Sequence, residues 1–419
     1  MEQLKLLLIG AGERGAHCYA PYALKYPQEV AFVGVAEPNE ARRNAFAEAH
    51  GLAPESCFAD WPDLLAAGIE ADGVIVATQD RQHYEPVLAG LRSGLHVLCE
   101  KPMAETYEKS LAMVQAAEAA NRLLMVCHVL RYTPFYRAVK AVIDGGRIGD
   151  TRAVHHLENI GNWHFAHSYV RGNWRNSAQS TPMIVAKCSH DMDILNFLLG
   201  KRCARLSSFG SLSFFTAQNA PPGAAARCSE CPLNKNCNFS AYHYYEARDT
   251  YAPFRGILEH TTGRPLGEML EDSAYNRCVY HCDNDVPDRQ SVMMAYEDGL
   301  TVTFTASAFS ADISRQTKIM GTLGEIEGRL EDNAFLVRDF GSGQVDRVQV
   351  QAPPTTHAGG DERIMAHFCT ALRDPAGHPE VDARLSLAGH AMAFAAEKSR
   401  LAGGRVVELE SWTNAGGEA

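Results

Sequence analysis

The chain has 419 residues, 46% of them hydrophobic and 21% charged, and a net charge of −11. That length predicts two domains, each with its own core, and the acidic balance argues against nonspecific binding to nucleic acid or an anionic membrane. No apolar run approaches the ~18–20 residues that span a bilayer, and the start Met1-Glu2-Gln3 is acidic where a signal peptide is basic, so a cytoplasmic location is expected.

Strands and helices alternate through the first third. Strands are predicted at about 4–9, 30–36, 72–77, 95–99 and 123–127, with helices at 13–26, 39–49, 83–92 and 105–121 between them. This order makes parallel strands with right-handed crossovers, a doubly wound domain covering 1–130. The first strand runs into Gly10-Ala11-Gly12-Glu13-Arg14-Gly15. Gly10 suits the tight turn, Gly12 admits a pyrophosphate against the backbone, and Gly15 lets the next helix sit close to the sheet with its free N–H groups facing phosphates. Glu13 and Arg14 lie in the same cradle. The second strand ends in Glu37, about 20 residues on, where a carboxylate accepts hydrogen bonds from a ribose. This selects NAD, with NADP kept open by Arg42 and Arg43.

Beyond Thr151 the strands lengthen and alternate, as in Arg289–Tyr296 and Thr301–Ser307, which predicts an antiparallel or mixed sheet with one open face in a second domain, 131–419. Two late helices, about 361–374 and 383–402, carry apolar residues at helical spacing and pack on a domain surface. The acidic tail after Trp412 reads as disordered. The open sheet face predicts a homodimer or homotetramer.

Chemistry-bearing residues follow the parallel strands. Glu100-Lys101-Pro102 ends the fifth one, and ligands of open parallel sheets bind there, so Lys101 points at the cleft. The run Thr181–Leu195 enters a helix on which Lys187, His190 and Asp193 fall at three-residue spacing on one face. An imidazole titrates near neutrality, making His190 an acid/base for a hydroxyl whose carbon loses hydride. The segment 158–176 concentrates rings and polar donors, including Trp163, His164 and Tyr169, in the manner of a sugar site; it also reads as a packing loop. Arg171 and Arg175 suit a carboxylate, a sulfonate or the cofactor pyrophosphate. His357-x-Gly359-Gly360-Asp361 precedes a helix and returns polar groups to the same pocket.

Taken together, the Gly10–Gly15 loop, Val76-Ala77-Thr78 with His83, Glu100-Lys101-Pro102, Arg131-Tyr132-x-Pro134, Trp174-Arg175 and His190-x-x-Asp193 resemble the Gfo/Idh/MocA family of oxidoreductases over nearly the whole chain. The resemblance implies an α/β protein: an N-terminal Rossmann domain and a C-terminal α/β domain with an open, largely antiparallel sheet. It implies that Lys101 and His190 line the nicotinamide and sugar pocket. Thr78, His83, Glu100, Trp174 and Arg175 then fall at the cofactor, and Arg131 and Asp191 at the substrate. One departure stands out. The family places an aspartate four residues before the histidine, and here that residue is Ala186, followed by Lys187. Either Lys187 joins Lys101 around the reacting hydroxyl, each lowering the other's pKa, or it binds an anionic substituent.

Cys228, Cys231 and Cys237 form C-x2-C-x5-C within an insertion at about 216–283 that also contains Cys278, His281 and Cys282. The spacing predicts a structural zinc on Cys228, Cys231, Cys237 and one of Cys278 or Cys282. An iron–sulfur cluster fits the spacing less well, because ferredoxin runs differ, and free thiols are the plain alternative.

The leading expectation is an NAD-dependent enzyme oxidising a secondary hydroxyl of a sugar, sugar acid, cyclitol or glycoside. The resemblance also admits a glycosidase that works by transient oxidation and elimination, using His164, Tyr169 or His281 as an extra base. A noncatalytic NAD or sugar sensor is the third reading.

Overall fold

The computed structural model describes residues 2–245, 268, 270–271, 273–353, 356–374 and 382–409; the tail after Trp412 and part of the cysteine insertion lie outside these. Six strands, β1 Leu4–Ile9, β2 Val30–Ala36, β3 Cys57–Phe58, β4 Gly73–Val76, β5 His96–Cys99 and β6 Leu124–Val126, form one sheet in the order β3-β2-β1-β4-β5-β6. Every pairing is parallel. β4 is buried along its whole length, as a central strand covered on both faces requires.

The remaining strands are β7 Thr151–Asn159, β8 Cys203–Ser211, β9 Arg289–Tyr296, β10 Thr301–Ser307, β11 Ser314–Gly321, β12 Gly324–Arg329, β13 Ala334–Asp339, β14 Val345–Gln349 and β15 Val407–Glu408. They form a second sheet ordered β14-β13-β12-β11-β7-β10-β9-β8-β15. Among the described residues only β7 and β10 pair in parallel within it; the other pairings are antiparallel. Exposed and buried residues alternate along β9, so one face packs on helices and the other is open. The helices Ser189–Leu199 and Ala383–Leu401 supply the covering layer.

Three local differences from the sequence reading have physical causes. The predicted helix 13–26 is a wide π-helical turn, Glu13–Tyr19, followed by the helix Pro21–Lys25. The helix bearing His190 is interrupted: Met183–Ala186 and Ser189–Leu199 are separate, with Lys187 and Cys188 between them. Lys187 therefore does not share a continuous helix face with His190 and Asp193. Finally, the helix Gly360–Arg373 buries Ile364, Met365, Phe368 and Cys369 in the core of the first sheet, among Leu6, Leu8 and Ile75. The boundary near residue 130 is thus crossed by a segment that returns from the far end of the chain.

Candidate active site

The glycine turn is shaped by contacts that no side chain would tolerate. Gly10 has φ +94, and a Cβ there would lie 2.6 Å from the Ala77 carbonyl oxygen; at Gly15 it would lie 2.1 Å from the Gly10 oxygen. At Gly12 a Cβ would meet nothing within 4 Å, so the backbone borders open space at the start of a helical turn. Nearby, the buried Thr78 Oγ1 has no partner. An open cradle over free N–H groups and an unpaired hydroxyl beyond β4 fit a dinucleotide, with the pyrophosphate over Gly12.

Glu37 is buried at the end of β2. Its Oε2 accepts from the Ala11 N–H at 2.8 Å and its Oε1 from the Asn39 N–H at 3.0 Å, so the carboxylate is fixed beside the glycine turn. Arg43 donates to the Glu37 carbonyl at 2.6 Å. Glu13 is exposed. Arg14 is committed to the protein: it reaches Glu100 at 2.6 Å and Asp361 at 2.7 Å. Glu100 also accepts from Tyr19 Oη and, at 2.8 Å, from the Lys101 N–H. Its role is to hold Arg14 and the turn that carries Lys101. His83, also buried, spans the Pro102 and Thr78 carbonyls at 2.7 and 3.1 Å and ties that turn to the β4 loop.

Lys101 and His190 come together. The Lys101 ammonium donates to the Ala186 carbonyl at 2.6 Å. Burial pushes its pKa below the ordinary lysine value, and Lys187 adds to the depression. His190 is 7% exposed with an unpartnered Nδ1. Its pKa is held well below 6.5 by burial, then by Lys101 and His128. The ring lies 6.3 Å from that of His357, and His357 contacts Asp361 at 3.1 Å. The His357–Asp361 segment does return to the pocket. His164, lowered well below 6.5 by burial and by Lys187, faces the same lysines. Tyr169 packs 6.1 Å from the His164 ring, and Trp163 lies 5.8 Å from it.

A buried ion-pair chain backs this group. Lys187 lies 3.2 Å from Glu158, and Arg315 lies 2.9 Å from Glu158 and 2.8 Å from Asp191. Asp191 also meets His156 at 3.0 Å. Glu158, His156 and Arg315 were not singled out from sequence; they sit on strands whose pairing with each other no local pattern announces.

Several expected positions are engaged in contacts within the protein. Asp191 is fully buried and paired with Arg315 and His156. Arg131 forms a two-pronged pair with Asp193, its Nε at 2.6 Å, and so fixes the helix that bears His190. Trp174 donates to Asp80 at 3.1 Å, joining the second domain to the β4 loop, and Arg175 is paired with Asp283 at 2.7 Å. Arg171 turns toward the cysteine insertion. His281 is exposed there.

The zinc expectation is not supported. Among the described residues no group of three or more His, Cys, Asp or Glu side chains is set to hold a metal ion. The sulfurs take part in local bonds: the Ala241 N–H donates to Cys228 at 3.5 Å, the Phe239 N–H to Cys237 at 3.4 Å, and Cys282 donates to the Cys278 carbonyl at 3.2 Å.

Comparison with known proteins adds to this geometry. Residues 4–128 match the GFO_IDH_MocA family model, described as an oxidoreductase family with an NAD-binding Rossmann fold, and residues 140–409 match the model of its C-terminal alpha/beta domain. A putative oxidoreductase, YteT, of Bacillus subtilis is 25% identical over 63% of this chain and 60% of its own length. An inositol 2-dehydrogenase of Saccharopolyspora erythraea is 33% identical over 46% of this chain and 53% of its own length. The matched stretch thus spans roughly half to three fifths of these two relatives. Among solved structures, an oxidoreductase from Agrobacterium radiobacter in complex with NAD+, L-tartaric acid and magnesium superposes with TM-score 0.71 at 18% identity, covering 98% of this chain and 99% of that one. An inositol dehydrogenase homologue from Azotobacter vinelandii, complexed with NADH and myo-inositol, gives 0.69 at 17% identity, covering 97% and 98%.

Proposed function

The chain belongs to the GFO_IDH_MocA oxidoreductase family, with its NAD-binding Rossmann fold and C-terminal alpha/beta domain, and on that ground we propose that it is an NAD-dependent dehydrogenase oxidising a secondary hydroxyl of a sugar, sugar acid, cyclitol or glycoside. The observation that carries the reading is the meeting of Lys101 and the unpartnered Nδ1 of His190 at the carboxyl end of β5, beside the glycine cradle. Relatives named inositol 2-dehydrogenase, and one named 1,5-anhydro-D-fructose reductase, support the substrate class.

The residues divide the work by position. Gly12 and the turn after it take the pyrophosphate, and Glu37 takes the ribose hydroxyls, its fixed carboxylate favouring NAD over NADP. Bound NAD supplies the acceptor for the hydride that leaves the carbinol carbon. Lys101, depressed by burial, takes the hydroxyl proton in its neutral form. His190, kept neutral by burial, donates its ring N–H to the same oxygen or relays that proton. Glu158 meets the charge of Lys187, which favours Lys187 as a neighbour that tunes Lys101 over Lys187 as an anion receptor. Trp163, His164 and Tyr169 form the wall on which a ring stacks.

A second reading rests on His164. It is a half-buried imidazole beside both lysines and suits the extra base that removes an acidified C–H after oxidation, as an NAD-dependent glycosidase requires. The test is incubation of the full chain with NAD and a panel of polyols, sugar acids and aryl glycosides, following NADH and released aglycone separately. Net NADH supports the dehydrogenase; aglycone without net NADH supports the glycosidase; binding with neither product overturns both in favour of a sensor. Twelve unpaired cysteines support a reducing, cytoplasmic setting.

A further inference from the structure

His357 is a half-buried imidazole that the chemistry above leaves without a task. It begins a run of left-handed backbone, with φ +55 at His357, +49 at Ala358 and +81 at Gly359. Glycine adopts that region freely, whereas His357 and Ala358 are held there against their own preference, a strain that surrounding packing must sustain and that collects at ligand sites. The packing is close. A Cβ on Gly360 would lie 2.6 Å from the Val129 carbonyl oxygen, and one on Gly359 would lie 2.5 Å from Pro353, so the segment is wedged against the loop after β6.

The two ring nitrogens are unequal. Nδ1 lies 3.1 Å from Asp361 Oδ2 and 3.4 Å from Arg14 Nη1. These cannot both be hydrogen bonds, since the first needs a proton on Nδ1 and the second a lone pair. The shorter contact prevails. Burial raises the Asp361 carboxyl, yet His357 and Arg14 more than offset it and hold it below the ordinary value; an ionised carboxylate only accepts. Arg14 is served by Glu100 and by the other oxygen of Asp361. Burial also lowers the ring of His357 below 6.5, against the pull of Asp361, so it is neutral. A neutral imidazole with its proton on Nδ1 carries a bare lone pair on Nε2. Among the described residues that atom has no hydrogen-bond partner, and it is not enclosed. The side chain keeps 30% exposure, 6.3 Å ring to ring from His190.

We propose that His357 is a substrate-binding residue, its Nε2 accepting from a second hydroxyl of the molecule whose reacting hydroxyl meets Lys101 and His190, with Asp361 as the positioning residue that keeps the proton on Nδ1. A lone pair meets a donor and repels another lone pair, so neither a carboxylate nor an ether oxygen takes this place. The substrate class narrows accordingly to polyhydroxy compounds with a free hydroxyl at that position. Acid or glycosidic groups must lie elsewhere on the molecule. This inference rests on the dehydrogenase reading of Lys101 and His190.

The test uses the full chain saturated with NAD and labelled with 15N in its histidine rings. Without any further ligand, the His357 signals, identified by their loss in His357→Gln, are expected to show the proton on Nδ1 and none on Nε2; a proton on Nε2 overturns the proposal. In Asp361→Ala that preference is expected to disappear, and its persistence removes Asp361 as the positioning residue. The polyols, sugar acids and aryl glycosides of the panel are then titrated in. A compound that binds should shift the Nε2 signal, and His357→Phe should weaken its binding about tenfold, the worth of one neutral hydrogen bond. His357→Gln, whose amide oxygen can accept, should recover part of that loss. Binding that leaves Nε2 unmoved and is equally tight in His357→Phe overturns this inference and leaves the dehydrogenase reading standing. A panel in which nothing binds sinks that reading, and this one with it. NAD affinity is measured on each variant: if His357→Phe loses it, the site has collapsed, and the Nε2 signal of the unaltered chain decides.

Discussion

Lys101 is where burial becomes chemistry. Its ammonium is destabilised by desolvation, with Glu100 and Asp80 opposing and Lys187 and Arg14 reinforcing the loss of charge. In its proposed role as the base it works only when neutral, so kcat/KM is expected to rise with pH through a pKa below 10.5. Lys101→Met should lower kcat by about 10²–10⁴ and abolish that limb; a pH–rate profile that keeps it would assign the proton to His190. Glu158 invites a stability test. Glu158→Gln leaves Lys187 with a neutral partner, and breaking such a pair costs about 3 kcal/mol, the low end of the usual range, because Arg315 keeps Asp191. Chemical denaturation measures it. Lys101 stands out in the sequence at a strand end, and His190 through its neutral-range imidazole together with the family resemblance; their roles belong to the proposed function. The pairing of Asp191 was not legible, because sequence spacing does not tell which carboxylate an arginine 124 residues away will take.

Longer periodic elements were readable for a similar reason: their patterns repeat. β9 and β10 fall where alternation put them, whereas β3, two residues long, carries no period. The helix Trp61–Ala66 was also missed, although Asp60 caps it and Pro62 stands in its first turn. Two helices bear predictions. Phe368, fully buried on Gly360–Arg373, is expected to cost about 3–5 kcal/mol on replacement by Ala, read from the denaturant midpoint. On Ala383–Leu401, His390 contacts the Ser386 carbonyl at 2.8 Å and accepts from the Met103 N–H at 3.0 Å. Burial lowers its pKa to about 4. Since the unfolded chain binds this proton near 6.5, stability falls as pH drops from 6.5 toward 4, by at most about 1.4 kcal/mol per pH unit for this group. His390→Gln should reduce that slope in denaturation measured across the window.

The division into a doubly wound first half and an open-sheet second half was visible in the order of strands, since parallel crossovers and antiparallel meanders demand different patterns. What the order could not show was the assembly of one half from both ends of the chain. The open face of the second sheet displays Phe209 at 64% and Met293 at 62% exposure on β8 and β9. Pairing of that face with a second copy predicts a homodimer or homotetramer, and Phe209→Glu with Met293→Glu should shift the sedimentation profile toward monomer. The return of Gly360–Arg373 to the first sheet has a temporal consequence as well. A nascent chain leaving the ribosome completes β6 long before it has made Phe368, so its first compact unit must wait, apolar flank uncovered, through more than half of translation. Residues 1–130 produced alone should accordingly bind chaperones and aggregate, and a co-supplied peptide covering 360–373 should restore their solubility.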